Sequence, residues 1–268
     1  MTHYVCDICI IGGGSGGLSL AAGAAQLGAK VVLFEAAIMG GDCLNSGCVP
    51  SKALLAAAKA AYYAGGAPHM GVLGAPPKID FAAVKAFVAA VIKGIAPHDS
   101  VERFEALGVT VINEHAAFTG PLEVKSEHHK VRARNFVIAT GSQPAIPLID
   151  GLADIQFHTN ETIFADPARP GHLVIIGGGP IGMEMAQAHV RLGVDVTLVE
   201  PVSVMAHDDS ELVTMLKTKL MGEGVAFVEG VAVKSVRQNQ PNNITLTFAD
   251  DSSLKASHLL IATGRQSV

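Results

Sequence analysis

The chain has 268 residues, enough for two domains with sizeable cores. It is 49% apolar and 16% charged with a net charge of −5, which excludes long disorder and, with no basic run, gives no reason to expect a nucleic-acid partner. Four cysteines in this length do not make a disulfide scaffold, and no stretch reads as a membrane span or targeting signal, so a cytoplasmic location is expected.

Val5 to Ile11 is an apolar run of strand length. Its Cys6 and Cys9 are three residues apart, so they are expected on opposite faces as core cysteines. Gly12-Gly13-Gly14-Ser15-Gly16-Gly17 follows, then a helical stretch from Leu18 to Leu27 that Gly28 stops. Lys30 to Glu35 is the next strand and ends in an acid. Gly12, Gly14 and Gly17 thus form G-x-G-x-x-G between a strand and a helix, the dinucleotide-binding pattern. The glycines let a pyrophosphate reach the helix N-terminus, and Glu35 would accept hydrogen bonds from the adenosine ribose hydroxyls.

Gly40-Gly41-Asp42-Cys43-Leu44-Asn45-Ser46-Gly47-Cys48-Val49-Pro50-Ser51-Lys52 comes next. Pro50 suits a first helical turn, and Ala53 to Ala61 is rich in helix formers. Cys43 and Cys48 are five positions apart. Five residues of straight helix rise ~7.5 Å, and a disulfide tolerates a Cα separation of only ~4.4–6.8 Å, so a bridge here needs a distorted first turn. Such a short loop stabilises little, which points to a labile bridge. Cys48 would face the positive end of a helix, and Lys52 lies one turn further on. The segment suggests a redox-active pair beside a cation; the alternative is two buried, unbridged cysteines.

A connecting loop with Pro68, Pro76 and Pro77 is expected over 65–77. Asp80 reads as the N-cap of a helix carrying Phe81, Val84, Phe87, Val88, Val91, Ile92 and Ile95 at helical spacing. Ser100 caps a short helix to Leu107, and Val109–Ile112 is a short strand. Phe118–Val124 and Lys130–Ala133 read as hairpin strands, with a separate buried strand at Phe136–Ala139 before Thr140-Gly141. Pro144 and Pro147 mark the best boundary, and residues 154–171 look irregular.

The opening pattern then returns. Leu173–Ile176 is a strand, Gly177, Gly179 and Gly182 repeat G-x-G-x-x-G, Glu184 to Leu192 is helical, and Asp195 to Glu200 is the second strand. Glu35 lies 23 positions after Gly12, and Glu200 lies 23 after Gly177. The exits match as well, Val137-Ile138-Ala139-Thr140-Gly141 against Leu260-Ile261-Ala262-Thr263-Gly264. This is a duplicated nucleotide-binding unit. From first glycine to exit glycine the copies span 129 and 87 positions, and the excess falls around residues 40–108, so the cysteine pair sits in an insertion in the first copy. Two dinucleotide sites and one dithiol imply an electron route, and the cofactor able both to take a hydride and to reduce a disulfide is a flavin.

With these motifs the chain resembles a class I pyridine nucleotide–disulfide oxidoreductase, of the dihydrolipoamide dehydrogenase, glutathione reductase and mercuric reductase kind. The most specific element is the segment from Gly41 to Lys52. The resemblance implies an α/β fold of two Rossmann-like (FAD/NAD(P)-binding) three-layer domains. The first, 1–147, binds FAD, carries the redox disulfide on a helical insertion, and lacks its last strand. The second, 148–268, binds NAD, and the C-terminal dimerisation domain is absent. Gly12, Gly14, Gly17, Glu35, Gly41, Asp42, Thr140 and Gly141 would hold FAD, and Gly177, Gly179, Gly182, Glu200 and Gly264 complete the cofactor-binding set. Cys48 would be the charge-transfer thiol next to the flavin, Cys43 the interchange thiol, and Lys52, paired with Glu184, the cation near flavin N5, where a buried lysine needs a partner. Glu200 favours NADH over NADPH, since an acid there repels a 2′-phosphate and no arginine follows it.

Three departures stand out. Asp42 replaces the usual threonine and should raise the thiol pKa values. Pro180 stands where many relatives place a bulky gate. The chain shows neither the family's Gly-Asp motif nor its His–Glu acid/base pair. The expected function is electron transfer from NADH through FAD to Cys43–Cys48 and on to a small-molecule or lipoyl disulfide, reversibly. The alternatives are a mercuric-type metal-ion reductase and a truncated nucleotide-binding fragment with at most weak diaphorase activity. A homodimer is expected for the full-length parent, and no metal-ligating set is expected.

Overall fold

A computed structural model of the chain describes residues 1–67 and 70–268. Pro68, assigned above to a connecting loop, lies outside the described residues. In chain order the elements begin β1 (Thr2–Ile11), α1 (Ser15–Gln26), β2 (Val31–Phe34), α2 (Gly41–Asn45), α3 (Cys48–Ala64), β3 (Gly66–Ala67), β4 (Val72–Leu73), α4 (Phe81–Ile95) and α5 (Val101–Ala106). Next come β5 (Thr110–Ile112), β6 (Ala117–Gly120), β7 (Glu123–Lys125), β8 (His129–Ile138), β9 (Ser142–Pro144), β10 (His172–Ile176), α6 (Pro180–Arg191) and β11 (Asp195–Glu200). The chain continues with α7 (Ser210–Gly222), β12 (Ala226–Glu229), β13 (Val233–Gln240), β14 (Asn243–Phe248), β15 (Ser253–Ala256), β16 (His258–Ile261) and β17 (Arg265–Ser267). Two compact units result: Met1–Pro50 with Ala90–Gln143 and Ser267–Val268, and Ser51–Ala89 with Pro144–Gln266.

The first unit is built on one sheet of order β5-β2-β1-β8-β7-β6. Its first four strands are parallel, and β7 and β6 continue it antiparallel. All four residues of β2 are buried, as a strand covered on both faces demands. On one face Leu18, Ala21 and Ala24 of α1 pack with Ile10, Val31, Leu33 and Phe104. On the other, Cys6, Cys9, Val32, Phe34, Val124 and Val131 form a second core layer.

Two expectations are corrected here. Cys6 and Cys9 share a face, because the alternation slips at Asp7 and Ile8, whose two amides both donate to the Lys30 carbonyl (2.9 and 3.2 Å). Burial pushes their thiols up to about 11 and about 12, so both are inert core groups. The strands expected at Lys130–Ala133 and Phe136–Ala139 are one strand, β8, in register with β1 from Thr2↔His129 to Ile11↔Ile138. Its first part also pairs with β7, so polar Arg134 and Asn135 interrupt the apolar pattern without interrupting the strand. Asp80 and Ser100 are N-caps as expected, accepting from the amides of Ala83 (3.0 Å) and Arg103 (3.3 Å).

The second unit repeats the parallel order as β12-β11-β10-β16. The antiparallel meander β13-β14-β15 covers one face, where Val236, Ile244, Leu246 and Phe248 pack on Val174, Ile176, Val199, Leu259 and Ile261. Helix α7 has no counterpart in the sequence reading. Asp209 caps it through the amides of Glu211 and Leu212, but Leu220 is its one buried residue, so it lacks the apolar stripe that marks a core helix. By length and composition Phe81–Ala106 could cross a membrane; it carries Lys85 and Lys93 and is broken at a 3-10 turn containing Pro97.

Candidate functional site

The first glycine loop joins β1 to α1. Gly12 has φ +113°, and a Cβ there would stand 2.2 Å from the carbonyl oxygen of Ala139. A Cβ on Gly17 would stand 1.9 Å from the carbonyl oxygen of Gly12. Both positions therefore require glycine for close backbone packing. Gly14 is the N-cap of α1 with no side chain capping the helix, so the first-turn amides remain available to an anion. Glu35 is locked in place: the amides of Gly13 and Ala37 donate to its two carboxylate oxygens at 2.6 and 2.7 Å. An uncapped helix start, a side-chain-free cradle and a fixed carboxylate fit the pyrophosphate and ribose of a dinucleotide. Beyond β8, the Thr140 hydroxyl donates to the Val268 carbonyl (3.0 Å), and Gly141 has φ +75°.

The second loop, between β10 and α6, reproduces these contacts. Gly177 has φ +115°, with a Cβ position 2.2 Å from the Ala262 carbonyl oxygen. A Cβ on Gly182 would stand 2.0 Å from the Gly177 oxygen. The amides of Gly178 and Val202 donate to the Glu200 carboxylate at 2.8 and 3.3 Å. Gly179 caps α6 with no side-chain bond, Pro180 opens the helix, and Gly264 has φ +109°.

The cysteine segment packs directly on the first loop. Gly14 bridges Gly40, and a Cβ on Gly41 (φ +56°) would stand 2.7 Å from the Gly14 Cα. The distorted turn expected between the cysteines is a complete break. Cys43 lies in α2, the chain leaves the helix at Ser46 (φ −143°), and Cys48 opens α3. Both are thiols in this structure. Asp42 ties the break together: its carbonyl accepts from the Ser46 amide (2.9 Å) and its carboxylate from the Ser46 hydroxyl (2.8 Å). Burial pushes the Cys43 thiol up, the Cys48 sulfur adds to this, and the Asp42 charge adds a smaller part. Cys43 is half-buried and lines a cleft of about 280 Å³ with Ser15, Ser19, Asp99 and Arg103, while Cys48 is exposed. Asp99 and Arg103 escaped the sequence reading because the fold alone brings them to this cleft.

In the second unit Lys52 Nζ donates to both oxygens of Glu184, at 2.6 and 2.8 Å. The buried lysine expected from the resemblance is not found. The Lys52 side chain is 61% exposed and Glu184 34% exposed, so as a stabilising contact the pair is worth ~0–1 kcal/mol.

The pattern of the pyridine nucleotide-disulphide oxidoreductase family matches residues 6–268. The chain belongs to this family. It is 36% identical over 99% of its length to a mercuric reductase of Streptomyces lividans, covering 58% of that protein. It is 33% identical over 97% of its length to a dihydrolipoyl dehydrogenase of Thermus scotoductus, covering 57% of it. Among solved structures it resembles the HOCl-induced flavoprotein disulfide reductase RclA from Escherichia coli, with TM-score 0.83, 26% identity, and coverage of 98% of this chain and 57% of that one. The chain thus spans a little over half the length of these relatives. Membership of the pyridine nucleotide–disulphide oxidoreductase family accounts for the two dinucleotide folds and implies FAD and a nicotinamide cofactor. Members of the family are oxidoreductases that act on small disulfide substrates and are usually dimers.

Proposed function

We propose that this chain carries an NADH-dependent flavoprotein disulfide reductase function in which Cys43 and Cys48 are the redox couple. The observation that carries the reading is the packing of the cysteine segment on the first glycine loop, through Gly14, Gly40 and Gly41. FAD, when bound, supplies a two-electron relay between a hydride donor and a disulfide. The uncapped start of α1 and the fixed Glu35 carboxylate would hold it, with Gly12, Gly14, Gly17, Gly41, Asp42, Thr140 and Gly141 around it. Gly177, Gly179, Gly182 and Gly264 would do the same for the nicotinamide cofactor. The Glu200 carboxylate, held by two amides, accepts ribose hydroxyls and repels a 2′-phosphate, which selects NADH over NADPH.

The net reaction consumes NADH, a proton and a disulfide and yields NAD⁺ and two thiols. Within it Cys43 attacks the substrate disulfide as a thiolate, releasing one substrate thiol. Cys48 then displaces the second and re-forms the Cys43–Cys48 bond. Lys52, oriented by Glu184, would supply a positive charge to the bound flavin. The acceptor is a small-molecule or lipoyl disulfide, and the working form is a cytoplasmic homodimer. The Streptomyces lividans relative supports a second reading, a metal ion as terminal acceptor.

The test is an anaerobic titration of the FAD-loaded chain with NADH and with NADPH, read by absorbance and by thiol count. Two new thiols per chain and a long-wavelength band with NADH are expected, with Cys48→Ser removing both. No gain in thiols, or a band that survives in Cys48→Ser, sinks the assignment.

A further inference from the structure

A second cluster in the second unit is unrelated to the redox couple. The Nε2 atoms of His158 and His258 lie 3.1 and 3.9 Å from one carboxylate oxygen, Oδ2 of Asp166. All three atoms lie within 4.8 Å of one another, and the two imidazole rings stack 6.0 Å apart at 7°. His258 belongs to β16. His158 is bound to that strand through its backbone: its amide donates to the Leu259 carbonyl (2.7 Å), and its carbonyl accepts from the Ile261 amide (2.8 Å). Asp166 is fixed as well, its other oxygen accepting from the Ala168 amide at 2.8 Å.

Each ring is held from its far side by a hydroxyl group. Ser257 Oγ lies 2.9 Å from His258 Nδ1, accepts from the His172 amide (2.9 Å) and lies 2.9 Å from the His172 carbonyl. Thr162 Oγ1 lies 3.2 Å from His158 Nδ1 and accepts from the Thr159 amide (3.1 Å). In the tautomer that protonates Nδ1, which these contacts accommodate, each imidazole turns a bare Nε2 lone pair toward the carboxylate oxygen. In that tautomer three acceptors converge on one point, an arrangement that a cation between them stabilises.

We propose that His158 Nε2, Asp166 Oδ2 and His258 Nε2 bind a divalent transition-metal ion of the zinc class. Two imidazoles and a carboxylate are a borderline-soft donor set suited to zinc. Metal–ligand bonds of ~2.0–2.2 Å in a tetrahedron place ligand atoms roughly 3.3–3.6 Å apart, against 3.1 and 3.9 Å from Asp166 Oδ2 to the two nitrogens and at most 4.8 Å between any two of the three atoms, so a small ring shift closes the shell. Thr162 and Ser257 are the outer partners that orient the two rings. The fourth position opens on a cleft of about 480 Å³ lined also by Gln238, Asn242 and Ile244, where water completes the shell. The ion would clip the irregular segment carrying His158 and Asp166 to the edge of β16. Lys85, whose charge acts on Asp166 through space, is held by the Ile163 carbonyl (2.5 Å). Sequence reading had no handle on the site, because its ligands are scattered along the chain and no spacing motif joins them.

The test uses the full chain with Cys43→Ser and Cys48→Ser, so that the thiol couple does not compete, stripped with a chelator and titrated with Zn²⁺ and Co²⁺. One saturable equivalent of Zn²⁺, a raised melting temperature and four-coordinate cobalt bands without a thiolate charge-transfer band are expected. His158→Ala/His258→Ala and the near-isosteric Asp166→Asn should each weaken binding at least about tenfold. Absence of a saturable site, a thiolate band placing the ion on Cys6 or Cys9, or unchanged affinity in a folded Asp166→Asn chain would overturn the proposal.

Discussion

Replacing Gly17 by alanine tests the cofactor cradle at its tightest contact. The added Cβ would stand 1.9 Å from the Gly12 carbonyl oxygen, more than 1 Å inside the 3.0 Å that side-chain carbons keep. Both partners are backbone, so no flexible side chain can yield, and the start of α1 must move away from the loop. Overpacking of this kind costs ~1–3 kcal/mol. Placed on the binding-competent loop, that is a ~5- to 150-fold loss of FAD affinity at ~1.4 kcal/mol per tenfold. Gly16→Ala is the internal control, because its Cβ would meet nothing within 4 Å and alanine is the better helix former. Gly182→Ala, with its 2.0 Å contact to the Gly177 oxygen, should weaken NADH binding and leave FAD in place. FAD retained after purification and fluorescence titrations with each cofactor measure all three variants. A Gly17→Ala chain that binds FAD as tightly as the parent refutes the assignment of the first loop.

Two further predictions concern charge. Lys85 is 5% exposed, and burial lowers its pKa from 10.5 to about 8. The folded state therefore loses this proton before the unfolded state does, so stability rises as pH passes from 8 toward 10.5. Between about pH 7 and pH 10 the gain is on the order of 2–3 kcal/mol, which Lys85→Met should abolish; parallel urea-denaturation profiles for the two chains would contradict it. Asp42→Asn keeps the oxygen that accepts from Ser46 and removes the charge that helps raise the Cys43 thiol. Its Cys43 should alkylate at lower pH than in the parent, and an unshifted pH–rate profile would show that the Asp42 charge is screened from the sulfur.

Both glycine loops were legible because each demands a residue type for a steric reason, and the same spacing occurs twice. Glu35, directly after β2, and Glu200, the last residue of β11, were legible for the same reason, since the strand end fixes where they point. The course of β8 was hidden by Arg134 and Asn135, which are exposed beside residues that pair throughout with β1. The shared face of Cys6 and Cys9 follows from a slip that depends on the Lys30 carbonyl, a partner that local alternation does not reveal. The role of Asp42 in tying Ser46 was equally invisible until α2 and α3 separated. Lys52 shows the opposite failure: its partner Glu184 was anticipated correctly, but the burial expected for the pair is absent, the lysine side chain being 61% exposed.

The register of β1 with β8 bears on how the first unit folds. These strands are neighbours in the sheet, yet Ile8 pairs with Asn135, so nearly the whole unit must be synthesised before the central pairing can close. The second unit has the same delay between β10 and β16. Such long-range parallel pairing is slow, and it leaves an apolar edge waiting during synthesis. The close contacts of Gly12 with Ala139 and of Gly177 with Ala262 form only when those late strands arrive. Each glycine loop is therefore among the last parts of its unit to take shape, and under the proposed function cofactor capture by a newly made chain would report that its sheet has closed.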